Sequence, residues 1–201
     1  MVIGTDISHT MISEAISEYE GIHPNLGFLV MDAERNIFFN QFDVITSFCC
    51  LHWVKAQLKA LFGIKNALAK DGKAILLVPL RHEELYTSIE KTMTSSPWDK
   101  YFINFNNPHN FFTFDEYSSL LTEAGLKKQL FKKEIMCYEF DTKRQMELFL
   151  KAWLPHMHLI PFAEQNSFLS EVVTRFNNII SSNENNLSMP PTMLQVVALR
   201  I

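Results

Sequence analysis

The chain has 201 residues, 47% of them hydrophobic and 20% charged, enough to bury a core in one domain. A formal net charge of −4 with scattered lysines argues against nucleic acid as the main partner, and no apolar run approaches the roughly 20 residues of a membrane span. No basic-then-apolar leader opens the chain, and Cys49, Cys50 and Cys137 form neither a disulfide framework nor a metal-ligand spacing, so the expectation is a cytoplasmic, metal-free protein.

In chain order, short apolar runs alternate with amphipathic stretches, the pattern of a mainly parallel sheet covered by helices. Val2 to Thr5 reads as a buried strand ending at Asp6. Ser8 caps a helix with Met11, Ile12, Ala15, Ile16 and Tyr19 on one face. After His23-Pro24-Asn25, Leu26 to Met31 reads as a second strand ending at Asp32, and Phe42 to Phe48 as a third. A helix over about Val54 to Ala69 stops at Asp71-Gly72, before a fully buried strand over Ala74 to Pro79. Turn-rich Pro97 and Asn104 to Asn110 separate helical segments. Thr113 to Glu116 reads as a capping box with Phe112 and Tyr117 as its staple, opening a helix that ends near Gly125. Lys127 to Phe140 reads as one long strand, Thr142 to Leu154 as a helix with a Thr142/Gln145 capping box, and Ser167 to Ile180 as the last helix. Asn183 to Pro191 reads as a loop and Met193 to Leu199 as a closing strand, with no internal repeat and no dividing linker.

Two strand-end carboxylates carry the first chemical signal. In open α/β sheets ligands bind at the C-terminal ends of the strands, where an aspartate can accept from both ribose hydroxyls. Asp6 suits that role or caps the helix that follows. Asp32 reads as a ligand carboxylate or as a solvated turn residue. His52 is either a polar group in a site or a core histidine, and the adjacent Cys49 and Cys50 read as buried structural thiols. No serine or cysteine is arranged with a histidine and an acid as a nucleophile would be.

Val2-Ile3-Gly4-Thr5-Asp6-Ile7-Ser8 with Met11-Ile12, then Asp32-Ala33, then Phe42-Asp43-Val44-Ile45 leading into Leu51-His52-Trp53-Val54, then Leu68 to Gly72, resemble successive motifs of class I S-adenosylmethionine-dependent methyltransferases. Leu51 to Val54, Ser96-Pro97-Trp98 and Gln195 to Ala198 are similar to the trans-aconitate methyltransferase group, which is related to malonyl-acyl-carrier-protein O-methyltransferase and juvenile hormone acid methyltransferase. The resemblance implies a Rossmann-like α/β fold with an antiparallel C-terminal strand, and S-adenosyl-L-methionine as cofactor. It implies Asp6 at the ribose, Asp32 and the Ala33 N–H at the adenine, and Ile7, Met11 and Phe48 around the rest of the cofactor. His52 would act at the acceptor oxygen. Trp53, Arg81, Trp98 and His109 would contact the substrate, with a lid or substrate region at about 80–114. The acceptor implied is a small-molecule or acyl-carrier-linked carboxylate, with an apolar or mixed acid favoured by the aromatics of that region.

The family's first strand and its glycine-rich turn have no counterpart before Val2. The expectation is therefore a truncated domain whose Val2 and Phe42 strands show open edges, weak binding of S-adenosylmethionine by this chain alone, and self-association through those edges. An inactive remnant acting through protein association is the alternative. A nicotinamide-dependent oxidoreductase is a further rival, opposed by the Leu51 to Val54 element.

Overall fold

Val2–Asp6 (β1) and Leu26–Val30 (β2) pair in parallel, with Val2 opposite Leu26 and Asp6 opposite Val30. The helix His9–Tyr19 (α1) joins them. Ser8 begins it by accepting the Met11 N–H through its hydroxyl and the Ile12 N–H through its carbonyl. Ile12 is the residue of α1 that is buried, and β1 is more open than its apolar sequence implies. Val2 is exposed because β1 is hydrogen-bonded on one side only, in a two-stranded sheet.

A second sheet of four strands has the order β3-β4-β8-β5, built from Phe42–Phe48 (β3), Leu68–Pro79 (β4), Leu126–Ile135 (β5) and Thr192–Arg200 (β8). β3 and β4 are parallel. Leu80, just past β4, donates to the Thr192 carbonyl at the start of β8, and Arg200 at the end of β8 donates to the Leu68 carbonyl at the start of β4. β8 therefore runs antiparallel to β4, as the resemblance implies.

The helix Gln57–Ala67 (α2) ends two residues earlier than expected, because the chain already pairs as a strand at Leu68, opposite Phe42. The register then jumps to Val44 opposite Lys73. Asp71 at φ 65° and Gly72 take up the slack, and a Cβ on Gly72 would lie 2.9 Å from the carbonyl oxygens of both Ala69 and Phe42. Ahead of α2, Leu51–Trp53 forms a separate 3-10 turn, so the helix expected from Val54 starts at Gln57. α2 and the helix Phe114–Glu123 (α4) bury Leu61, Ile64, Tyr117 and Leu121.

The structure describes residues 1–19, 21–180 and 187–201. They divide into two compact units: Met1–Leu77 with Phe114–Phe131 and Gln195–Ile201, and Val78–Thr113 with Lys132–Leu194. Of the 80–114 region, residues 80–113 fall in the second unit and Phe114 in the first. The strand expected over Lys127 to Phe140 is two strands. β5 stops at Ile135, Met136 donates to the Pro191 carbonyl, and Tyr138–Phe140 (β6) pairs antiparallel with Leu187–Met189 (β7). That pairing also makes a strand of part of the expected 183–191 loop, whose first four residues lie outside the described ones.

The second unit is a helical core. Glu83–Met93 (α3), Lys143–Trp153 (α5) and Gln165–Ile180 (α6) bury Ile89, Leu150, Phe168 and Phe176 between them. The capping box of α5 is present. Thr142 Oγ1 accepts the Gln145 N–H at 3.2 Å, and Gln145 Oε1 accepts the Asp141 N–H at 2.8 Å.

Candidate functional site

In the first unit the register brings the two candidate carboxylates to one end of one sheet. Asp6 is the register partner of Val30, and its carbonyl accepts the Met31 N–H at 2.9 Å. Asp32 follows two residues after Val30 with extended backbone, φ −76° and ψ 125°. By the two-residue alternation of a strand it shares the face of Asp6, with Cα atoms on the order of 8 Å apart.

The two carboxylates differ in what they already hold. Asp6 Oδ1 accepts the Ser8 N–H at 2.7 Å, while Oδ2 has no hydrogen-bond or ion-pair partner among the described residues. The capping and ligand readings of Asp6 are thus compatible, one oxygen for each. Asp32 Oδ1 accepts the Glu34 N–H at 2.9 Å, and its Oδ2 lies 3.8 Å from Arg35 Nε on an exposed side chain. That ion pair is screened and weak. Ala33 starts the short 3-10 turn that Asp32 caps.

The end of β3 lies close by. The Cys50 thiol is pushed up by burial and further by the negative charge of Asp6, against a smaller downward pull from a hydrogen bond to Ser47. Cys49 adopts φ 51°, a strained backbone for a non-glycine residue, and its N–H donates to the Leu77 carbonyl at 2.9 Å. Both residues are exposed overall, not buried as expected, because the chain leaves β3 in this left-handed turn, while their sulfur atoms keep partial shielding. Ile7, Met11, Phe48 and Trp53 are all exposed, Phe48 at 60%. His52 is 7% exposed, with its ring 5.5 Å from that of Trp53.

The residues read as acceptor contacts, other than Trp53, belong to the second unit. Arg81 is committed to two carboxylates, Glu83 at 3.1 Å and Glu90 at 2.7 Å, and lies over the Tyr86 ring. Trp98 is 5% exposed within the helical core, edge-on to Phe168, its indole N–H on Glu171 at 2.7 Å. Glu171 is in turn paired with Arg175, and these hydrogen bonds hold its carboxyl below the usual range despite burial. His109 is buried and shares a 2.7 Å hydrogen bond with the Tyr86 hydroxyl. Burial lowers its pKa to about 4, so the ring is neutral at physiological pH.

Sequence reading missed two groups. Glu34 Oε1 accepts the Ala56 N–H at 2.8 Å, tying the Asp32 turn to the start of α2. His156, in the 3-10 turn Pro155–Leu159, is a second buried neutral histidine, lowered to about 4 by burial and by the neighbouring His109. No spacing rule links a residue at position 34 to 56, or 109 to 156.

The fold is the Rossmann-like α/β fold, in which ligands bind at the C-terminal ends of the strands. The family model described as a methyltransferase domain matches residues 1–76. That match and the relatives below make the chain similar to methyltransferases, an enzyme by family resemblance. It is 24% identical over its full length to 235L of Invertebrate iridescent virus 6, a protein assigned as a methyltransferase, of which it covers 73%. It is 28% identical over 86% of its length to the juvenile hormone acid O-methyltransferase of Drosophila melanogaster, covering 61% of that protein. Among solved structures, one assigned as a methyltransferase from Bacillus halodurans superimposes with a TM-score of 0.65 at 14% identity, over 99% of this chain and 82% of that one.

Proposed function

We propose that this chain binds S-adenosyl-L-methionine through its first unit and methylates the carboxylate oxygen of a small or acyl-type acid. The observation that carries the cofactor reading is the pair of carboxylates, Asp6 and Asp32, at the ends of two parallel, register-paired strands. The O-methyl reading is supported by the juvenile hormone acid O-methyltransferase relative.

The residues present fit the cofactor's nucleoside. Asp6 Oδ2 accepts from the ribose hydroxyls while Oδ1 stays on the Ser8 N–H, so the carboxylate is oriented before ligand arrives. Asp32 and the Ala33 N–H face the adenine edge, and Ile7, Met11 and Phe48 cover apolar surface. When bound, S-adenosylmethionine supplies a methyl group on a sulfonium, already activated for displacement. An acceptor carboxylate is anionic at neutral pH, so no general base is needed. The work left to the protein is to hold the acceptor in line and to exclude water. His52 orients the acceptor oxygen, with Trp53 beside it. Arg81 and Trp98 are engaged with Glu83, Glu90 and Glu171.

Calorimetric titration with S-adenosylhomocysteine tests the cofactor site. Asp6→Ala is expected to weaken binding by about 1.5–3 kcal/mol, the worth of a charge-assisted hydrogen bond, and Asp6→Asn by less. Equal affinity in all three proteins would remove Asp6 from the ribose. Incubation with methyl-labelled S-adenosylmethionine and matched acids, alcohols and amines tests the acceptor class, with base-labile methyl ester expected from the acids alone.

A further inference from the structure

Within the first unit, the turn that carries Asp32 is fastened to a helix that does not contain it. α2 does not complete its own N-terminus. Its N-cap is Ala56, which has no side-chain acceptor, and the position where a capping box places a Glu or Gln to accept the N-cap N–H is Lys59, a donor only. The Ala56 carbonyl accepts the Lys59 and Ala60 N–H groups at 2.9 and 3.3 Å. The Ala56 N–H is met from 22 residues away, by Glu34 Oε1 at 2.8 Å in a part-buried setting. The Glu34 carboxylate also lies at the positive end of the helix dipole.

A second contact lies about two turns further along α2. A Cβ on Gly63 would lie 2.7 Å from the Asn36 Cβ and 3.6 Å from the Ala33 carbonyl oxygen, so the segment after Asp32 packs directly on the backbone of α2. Ala56 and Gly63 are roughly 10 Å apart along the helix axis. Held at two points that far apart, the turn can neither slide nor pivot on α2 without losing one of them. The same helix end leads back to His52 and Trp53. Trp53 and Val54 donate to the carbonyls of Cys50 and Leu51 at 3.0 Å each, and only Val54 and Lys55 separate that 3-10 turn from Ala56. One hydrogen bond, the one Glu34 accepts, therefore joins the turn assigned to the adenine to the segment assigned to the acceptor oxygen.

We infer that Glu34 is a positioning residue of the cofactor site: its carboxylate sets where Asp32 and the Ala33 N–H stand relative to His52, and so aligns the nucleoside end of the cofactor with the acceptor end of the site. The inference rests on the cofactor reading for the identity of the ligand. The tie from the turn to α2 stands without it. A local acceptor on α2 would satisfy the Ala56 N–H equally well, but it would not reach the turn, and that difference separates positioning from plain helix capping.

The test uses the 201-residue chain, Glu34→Ala, Glu34→Gln, and Glu34→Ala combined with Lys59→Glu. Lys59→Glu gives α2 its own capping-box acceptor, so the double variant keeps the Ala56 N–H satisfied while the tie is cut. Urea denaturation is expected to show Glu34→Ala destabilised and the double variant restored. Affinity for S-adenosylhomocysteine, measured by calorimetry, is expected to fall about tenfold in both, because the binding-competent placement of the turn is then a minor population. Glu34→Gln keeps a side-chain oxygen acceptor and is expected to bind within about twofold of the unaltered chain. Without ligand, amide exchange at Arg35, whose N–H donates to the Asp32 carbonyl at 2.9 Å, is expected to be faster in the double variant. A double variant that binds S-adenosylhomocysteine as the unaltered chain does would overturn the inference and leave the cofactor reading standing. An unaltered chain that takes up no S-adenosylhomocysteine would overturn the cofactor reading and the positioning role with it. Unchanged exchange at Arg35 would overturn the tie whatever the ligand.

Discussion

Asp6 has a duty in the fold beside the ligand role proposed for it. Its Oδ1 holds the Ser8 N–H and so shapes the entry to α1, which makes Asp6→Ala costly even without ligand, by about 0.5–1.5 kcal/mol of stability in urea denaturation. The buried histidines are the second residue-scale feature. In the unfolded chain His109 and His156 titrate near 6.5, whereas burial holds both near 4 in the fold. Above pH 6.5 neither state carries the proton. Between about 6.5 and 4 the unfolded chain takes up protons that the folded one refuses, so stability falls as pH falls, by up to about 1 kcal/mol per pH unit from His156. Denaturation midpoints measured at pH 7 and pH 5 check this, and His156→Phe should flatten the dependence. A midpoint that rises on acidification would contradict it.

At the scale of elements, local signals and ladder pairing compete, and pairing wins where it reaches first. α5 keeps its capping box because Thr142, Gln145 and Asp141 satisfy one another without help from elsewhere. Thr142→Ala should cost about 1 kcal/mol, readable as a lowered urea midpoint. β4 is the opposite case. Its start at Leu68 is imposed by Phe42, and the slack at Asp71-Gly72 brings the Gly72 backbone against two carbonyl oxygens. Gly72→Ala places a Cβ 2.9 Å from both oxygens and is expected to destabilise by about 1–3 kcal/mol, with thermal unfolding as the readout. A neutral Gly72→Ala would mean that the bulge relaxes freely.

For the whole molecule, one consequence of this topology is that β1 and β3 lie at sheet edges among the described residues. Among the described residues β1 is bonded only to β2 and β3 only to β4, and Val44 and Phe48 of β3 are exposed. Unpaired ladders with apolar side chains invite strand pairing between copies. Sedimentation velocity over a concentration series should therefore show self-association, reduced by Val44→Lys. A species that remains monomeric throughout would dismiss edge pairing.

Sequence by itself determined the alternation of strands and helices, the strand-end positions of Asp6 and Asp32, and the caps at Ser8 and Thr142, because each depends on residues within a few positions of one another. It also carried the resemblance to methyltransferases, most strongly through motifs in the first 80 residues. Tertiary structure alone decided that β5 stops at Ile135 while the chain continues into a different sheet, since the pairing partners, Leu187–Met189, lie some fifty residues away. It alone turned Arg81 towards Glu83 and Glu90, sank Trp98 into the helical core, and brought Glu34 to the Ala56 N–H. Burial and long-range neighbours set those roles, and neither is a property of a residue's place in the chain.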